Sequence, residues 1–233
     1  MKTKLPYFVA AAWLVGCISC SKDNYKAPSS LLHGRIQYKG EKIQVEYDRV
    51  SYEIFQFGFG KKGAISQTFS PDGSFSHLLF DGQYKLTIPH GQGPFKWRQT
   101  EDGKPDTVVI DLSGSRTIDL DVTPYYMIRE AQFTAASDKV TGTCRAEKII
   151  TDRDAKNIET VELYINKTSF VSPANNIANV SVKGSDIADQ NVIALTVAIP
   201  SVTPTQNYVF ARIGIKIVDV EDRIFSSVQK LTF

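Results

Sequence analysis

Two Asp-Gly pairs, Asp72-Gly73 and Asp81-Gly82, bracket a short run, residues 74–80, that carries Phe75, Leu78, Leu79 and Phe80. Asp-Gly between apolar stretches is a strong turn signal: glycine takes the positive φ of a tight turn, and aspartate bonds its own backbone. Each pair is followed by alternating apolar and polar residues, so residues 70–88 read as three strands joined by two hairpin turns. A chain that turns this often has no room there for helices of ordinary length.

The same period of two recurs on both sides. Leu32, Gly34, Ile36 and Tyr38 share one face, with a turn at Lys39-Gly40. Val50, Tyr52 and Ile54 form the next face, while Phe55, Phe57 and Phe59 point the other way. Val108, Ile110 and Leu112 follow, then Ile118, Leu120 and Val122 alternating with Asp119 and Asp121. No window of this half holds helical spacing free of glycine or proline. Beyond Thr123-Pro124, where proline stiffens a short linker, strands are expected around Ala131, Phe133 and Ala135 and over residues 140–146. Further strands are expected at Val161, Leu163 and Ile165, at residues 193–199, at residues 209–217, and from Ile224 to the C-terminus. One short helical turn is expected in residues 185–191. The expected fold is all-β: two tandem β-sandwich domains, residues 32–122 and 123–233, the second with the strand count of an immunoglobulin- or fibronectin-like sandwich.

The N-terminus carries a targeting pattern. Lys2 and Lys4 precede an apolar stretch at residues 7–15, too short to span a bilayer, and small residues with cysteine follow. Leu14-Val15-Gly16-Cys17 and Cys17-Ile18-Ser19-Cys20 both resemble the lipobox of bacterial lipoproteins. Cys20 is the favoured lipidation site, because a polar tether (residues 21–31) follows it; Cys17 is the alternative. Processing there removes Lys2 and Lys4 and leaves 25 basic against 25 acidic residues. A neutral chain with scattered charge argues against nucleic acid, which requires a basic stripe. The remaining cysteine, Cys144, alternates with Val140, Gly142 and Ala146 and reads as a small buried hydrophobe rather than a nucleophile.

The segments around residues 34–40, 70–75 and 80–86 (Gly34-Arg-Ile-Gln-Tyr-Lys-Gly40, Ser70-Pro-Asp-Gly-Ser-Phe75, Phe80-Asp-Gly-Gln-Tyr-Lys-Leu86) resemble the carboxypeptidase-regulatory-like, transthyretin-like β-sandwich. The chain as a whole resembles a family of two-domain Bacteroidota surface lipoproteins of unknown function from SusC/SusD-like glycan-import loci. The matching pieces include the segments at residues 19–25, 51–60, 72–76, 79–85 and 91–97. The resemblance implies an outer-membrane, lipid-anchored protein facing the cell surface, with SusC/SusD-like importer components as partners. It carries no catalytic residue.

No constellation points to an enzyme. His33, His77 and His90 lack metal-ligand spacing, and the acidic clusters near Glu101-Asp102 and residues 152–154 read as solvated loops. Nor does any carboxylate pair show a readable hydrolase arrangement. No cofactor or metal is expected. Oligosaccharide binding is the better expectation, since sugar C–H faces stack on aromatic rings while polar groups meet the hydroxyls. Trp97 is the leading platform, with Phe95, Phe57 and Phe59 beside it and Gln92, Arg98 and Gln99 as polar arms; Tyr125 and Tyr126 stand at the junction. The competing reading packs Phe55, Phe57, Phe95 and Trp97 between the domains, and then the protein is a spacer that docks on an importer without touching sugar.

Overall fold

The computed structural model describes residues 26–58, 63–136 and 138–233. The targeting segment, Cys17, Cys20, the start of the tether and Phe59 lie outside the described residues. Strand is the dominant regular structure of the described chain, with one 3-10 turn at Gly184–Asp186, one residue earlier and shorter than expected.

The first domain holds β1 (Ser30–Tyr38), β2 (Glu41–Lys42), β3 (Ser51–Gln56), β4 (Ile65–Thr68), β5 (Ser74–Leu79), β6 (Gly82–Thr87), β7 (Phe95–Lys96), β8 (Val108–Leu112), β9 (Arg116–Thr117), β10 (Leu120–Asp121) and β11 (Thr123–Pro124). In one sheet β1 is central, antiparallel to β2 and β5 and parallel to β9 and β10. The other is antiparallel, in the order β4-β3-β6-β8. Leu32, Ile36, Phe75 and Leu120 of the first face Tyr52, Ile54, Tyr84, Leu86 and Ile110 of the second, all buried. Ser30 and Leu31, read as tether, already belong to β1. Ser30 is buried and its hydroxyl donates to Asp81 Oδ1.

Both Asp-Gly pairs make turns, but neither makes a hairpin. β4 pairs with β3, whereas β5 pairs with β1, so the Asp72-Gly73 turn carries the chain from one sheet to the other. The Asp81-Gly82 turn carries it back, because β6 pairs with β3 and β8. Asp72 Oδ1 accepts from the Ser74 amide (3.2 Å) and hydroxyl (2.6 Å), and Gly73 N–H donates to Ser70 O (2.8 Å). Gly73 has φ +77°, and a Cβ there would stand 2.2 Å from Ile43 O. Positive φ and close backbone approach both demand glycine at this position. The strand expected over residues 118–122 is split. Between β9 and β10 the Ile118 amide bonds His33 O at 2.9 Å, and a Cβ on Gly34 would overlap Ile118 O.

The second domain holds β12 (Tyr126–Ala136), β13 (Lys139–Lys148), β14 (Ile158–Asn166), β15 (Ala178–Lys183), β16 (Ile193–Ala198), β17 (Tyr208–Ile217), β18 (Ile224–Phe225) and β19 (Gln229–Thr232). Sheet β12-β13-β16 faces sheet β15-β14-β17, whose other side pairs with β18 and β19; every pairing is antiparallel. Val140, Ile193, Leu195 and Val197 meet Val161, Leu163, Ile165, Ile213 and Ile215 in the core. Cys144 is buried among them, and burial pushes its thiol up to about 11.

The two cores form one continuous apolar cluster. The junction is itself paired: β11 lies antiparallel to β7, placing Thr123 opposite Lys96 and Pro124 opposite Phe95. Across the seam Phe225 N–H donates to Gln44 O (3.1 Å) and Gly93 N–H donates to Asp222 Oδ2 (2.8 Å). Arg212 is 1% exposed, although the alternation of β17 points it away from the sandwich core. Its Nε donates to Ser226 O (2.9 Å) and its Nη2 crosses to Pro71 O of the first domain (3.0 Å), with the guanidinium 4.3 Å from the Phe225 ring centroid. The first domain covers this outward face of β17, and burial lowers the Arg212 guanidinium to about 10. A buried charge of this kind is costly unless compensated, and here two carbonyls accept from it while the Glu46 carboxylate lies near enough to favour the charge.

Candidate functional site

After β6 the chain leaves the first sandwich at Pro89 and returns to it at β8. Its intervening loop packs on the second domain. Gln92 does not reach out as a ligand arm: its Oε1 accepts from the Ser51 amide and hydroxyl, each at 2.9 Å, which ties the loop to the start of β3. Phe95 is 5% exposed and Trp97 8% exposed. The indole Nε1 donates to Asp106 O (2.8 Å), which also accepts from Thr87 Oγ1 (2.8 Å). Arg98 lies over the indole, 5.2 Å from its centroid, and is held by Asp106 Oδ2 (3.3 Å) and Thr107 O (2.5 Å). The Trp97 and Phe95 rings are both buried and anchor the junction loop rather than standing out as exposed platforms, and both also line the cleft beside it. Their rings remove apolar area from water, and Trp97 finds the single acceptor its N–H needs.

Phe57 is half-exposed, with the Lys85 ammonium 4.8 Å from its ring centroid. It does not join Trp97. Gln92 marks the Ser51 end of β3, and Phe57 lies beyond the opposite end, roughly 20 Å away at about 3.3 Å per residue. The structure thus separates residues that the sequence reading grouped. Phe55 is part-buried on the outer face of the sheet, opposite Lys85. Tyr126 is fully buried, its hydroxyl donating to Lys156 O at 3.0 Å.

What the junction presents to solvent is a cleft of ≈ 210 Å3 beside the loop. Trp97 and the half-buried Tyr125 form its aromatic walls, and His90, Arg98, Lys156 and Glu221 bring polar groups. The Lys156 ammonium lies 5.8 Å from the Tyr125 ring centroid and donates to Asp219 O (2.9 Å). Lys96 pairs with Asp154 along the rim, and that carboxylate holds the ammonium above its ordinary range. Burial raises the Tyr125 phenol, so it stays a neutral hydroxyl donor and acceptor at neutral pH. Two shallower grooves of ≈ 440 and ≈ 510 Å3 share Lys96 with this cleft and extend it along the junction. Lys156 and Glu221 carried no signal in the sequence. They come from turns of the second domain, and only the docking of that domain brings them to the loop. Among the described residues, no three His, Cys, Asp or Glu side chains converge as a metal site requires.

Comparison with known proteins places this architecture. Residues 30–123 match the N-terminal domain of the DUF3823 proteins, described as proteins of unknown function, and residues 126–230 match the DUF3823_C domain of unknown function. A DUF3823 family protein from Parabacteroides merdae superimposes with a TM-score of 0.76 at 29% identity, covering 89% of this chain and 100% of its own. One from Bacteroides ovatus gives 0.75 at 26% identity, covering 88% and 99%. A candidate carbohydrate-binding protein from Bacteroides uniformis shares the fold with a TM-score of 0.69 at 15% identity, covering 88% and 100%. No curated protein matches the chain. With both family domains present in order over nearly all of the described residues, the chain belongs to the DUF3823 family.

Proposed function

We propose that this protein is a non-catalytic outer-membrane lipoprotein of a glycan-utilisation locus, anchored through Cys20, that binds oligosaccharide in the cleft at the domain junction. The observation that carries the reading is the Tyr125 wall. A part-exposed aromatic ring faces a cleft rimmed by hydrogen-bonding side chains, the combination that sugar recognition uses. The cleft volume suits one pyranose ring, with flanking sugars in the adjoining grooves. The lipobox, the polar tether and the likeness to a candidate carbohydrate-binding protein support the same reading. Bacterial lipoproteins carry more than one acyl chain, as stable anchoring requires. SusC/SusD-like importer components are the proposed partners at the cell surface.

A specific observation favours the second reading, a spacer docking on an importer: Trp97 and Phe95 are spent on holding the domains together. Affinity electrophoresis of the two-domain protein against a set of polysaccharides separates the two. Retardation by at least one glycan, abolished by Tyr125→Ala and Lys156→Ala, is the expected result. No retardation by any glycan would sink binding and leave the spacer.

A further inference from the structure

A second cavity, of ≈ 370 Å3, opens on the seam between the domains and is lined by Glu46, Arg49, Pro173, Glu221, Asp222 and Arg223. Glu46 and Asp222 are only 7% and 8% exposed. Asp222 uses Oδ2 to accept from Gly93 N–H, which leaves Oδ1. Glu46 is the sharper case. Among the described residues, its carboxylate has no hydrogen-bond or ion-pair partner, although Arg212 and Arg223 are near enough to feel its charge. With no protein donor, this carboxylate lines the cavity and takes its hydrogen bonds from whatever the cavity holds.

We infer that this cavity is a second saccharide subsite, in which Glu46 and Asp222 accept hydrogen bonds from vicinal hydroxyls of a pyranose. The chemistry of the lining selects that class. Each sugar hydroxyl both donates and accepts, so a diol satisfies a carboxylate and a guanidinium together. Arg223 commits Nε to Glu162 Oε2 at 2.7 Å, which leaves its terminal nitrogens to donate, and Arg49 is exposed at the rim. Pro173 and Ala174 supply the apolar wall a C–H face needs. A bare cation fits less well, because arginines offset the carboxylates. A single water is far too small for the space, at roughly 30 Å3. Glu221 lines both this cavity and the junction cleft, so one oligosaccharide passing over the turn at residues 219–223 reaches both. The inference takes its ligand class from the proposed function but rests on different residues.

The test is a titration of the isotope-labelled two-domain protein (residues 21–233) with D-glucose, D-galactose, D-mannose and D-xylose, read as amide shift changes. At least one sugar is expected to move the amides of Glu46, Arg49, Ala174 and Asp222. Glu46→Gln, which keeps shape but removes charge, is expected to weaken that response at least tenfold, while a Tyr125→Ala control leaves it in place. Movement only at Tyr125 and Lys156 would overturn the subsite and keep the cleft reading. Movement only at Glu46 and Asp222 would do the reverse. No movement at either place would overturn both, and unchanged affinity in Glu46→Gln would overturn the role of Glu46.

Discussion

The two sides of the domain junction are built differently. On one side Phe95, Trp97 and Tyr125 are packed by a loop of the first domain, and a cleft stays open beside them. On the other, Glu46, Arg212 and Asp222 are charged side chains buried at the seam, and backbone groups reached across it hold Arg212 and Asp222. Apolar burial contributes most of the adhesion but tolerates sliding, because it is non-directional. The charged side is directional: the Arg212–Pro71 and Gly93–Asp222 hydrogen bonds form in only one alignment of the domains. The pair of surfaces therefore couples an adhesive face to an orienting one, and the cleft keeps a defined shape.

The largest expected effect comes from the adhesive side. Trp97→Ala deletes a buried indole and leaves Asp106 O without one of its donors, and is expected to cost about 3–5 kcal/mol in urea unfolding. A loss below about 1 kcal/mol would mean that the indole does not hold the junction. On the orienting side, Arg212→Met keeps packing over Phe225 but leaves Ser226 O and Pro71 O without their donor. The expected loss is about 1–3 kcal/mol, with the first and second domains unfolding in separable steps. A single unchanged transition would show that Arg212 does not orient the two domains.

A smaller and pH-dependent effect belongs to Asp222. Burial is the main cause of its raised carboxyl pKa; the Gly93 amide opposes that shift. A folded-state value above the unfolded one means that the folded protein binds this proton more tightly. Its stabilising contribution is complete at low pH and disappears as pH rises through the folded value. Asp222→Asn retains an acceptor for Gly93 and removes that loss. Its stability relative to the parent is expected to increase between pH 4 and pH 8, by about 1 kcal/mol or less, measured by denaturation at both pH values. A relative stability that falls with pH would contradict the burial account. The smallest effect is expected at Phe57, half-exposed and remote from the junction. Phe57→Ala is expected to change stability by under about 0.5 kcal/mol and leave glycan retardation unaltered.

Much of the architecture was legible because period-two alternation reports which side chains share a face. Val140, Cys144, Ile213 and Ile215 are buried where that pattern puts them. The Asp-Gly pairs were legible as turns because the chemistry of a turn is local. Their partners were not. A hairpin and a sheet-to-sheet crossing use the same glycine, and the choice depends on which distant strand is free to pair: β1 for β5, and β3 for β6. Trp97 in a stretch of Gly, Gln, Lys and Arg looked like an exposed platform. The carbonyl that captures its N–H lies nine residues on, across a loop whose path the sequence does not state.

Side-chain period and turn chemistry are local properties, so an all-β chain of two domains could be read from the residues alone. Only the tertiary structure decided what the outward faces meet. The β17 alternation sends Arg212 out of its own sandwich, and the docked first domain, contributing Pro71 O, turns that outside into an inside. The same docking gathers Tyr125, Lys156 and Glu221 into one cleft and leaves the Glu46 carboxylate facing a cavity. Burial is a property of pairs of surfaces, and a period of two describes only one of them.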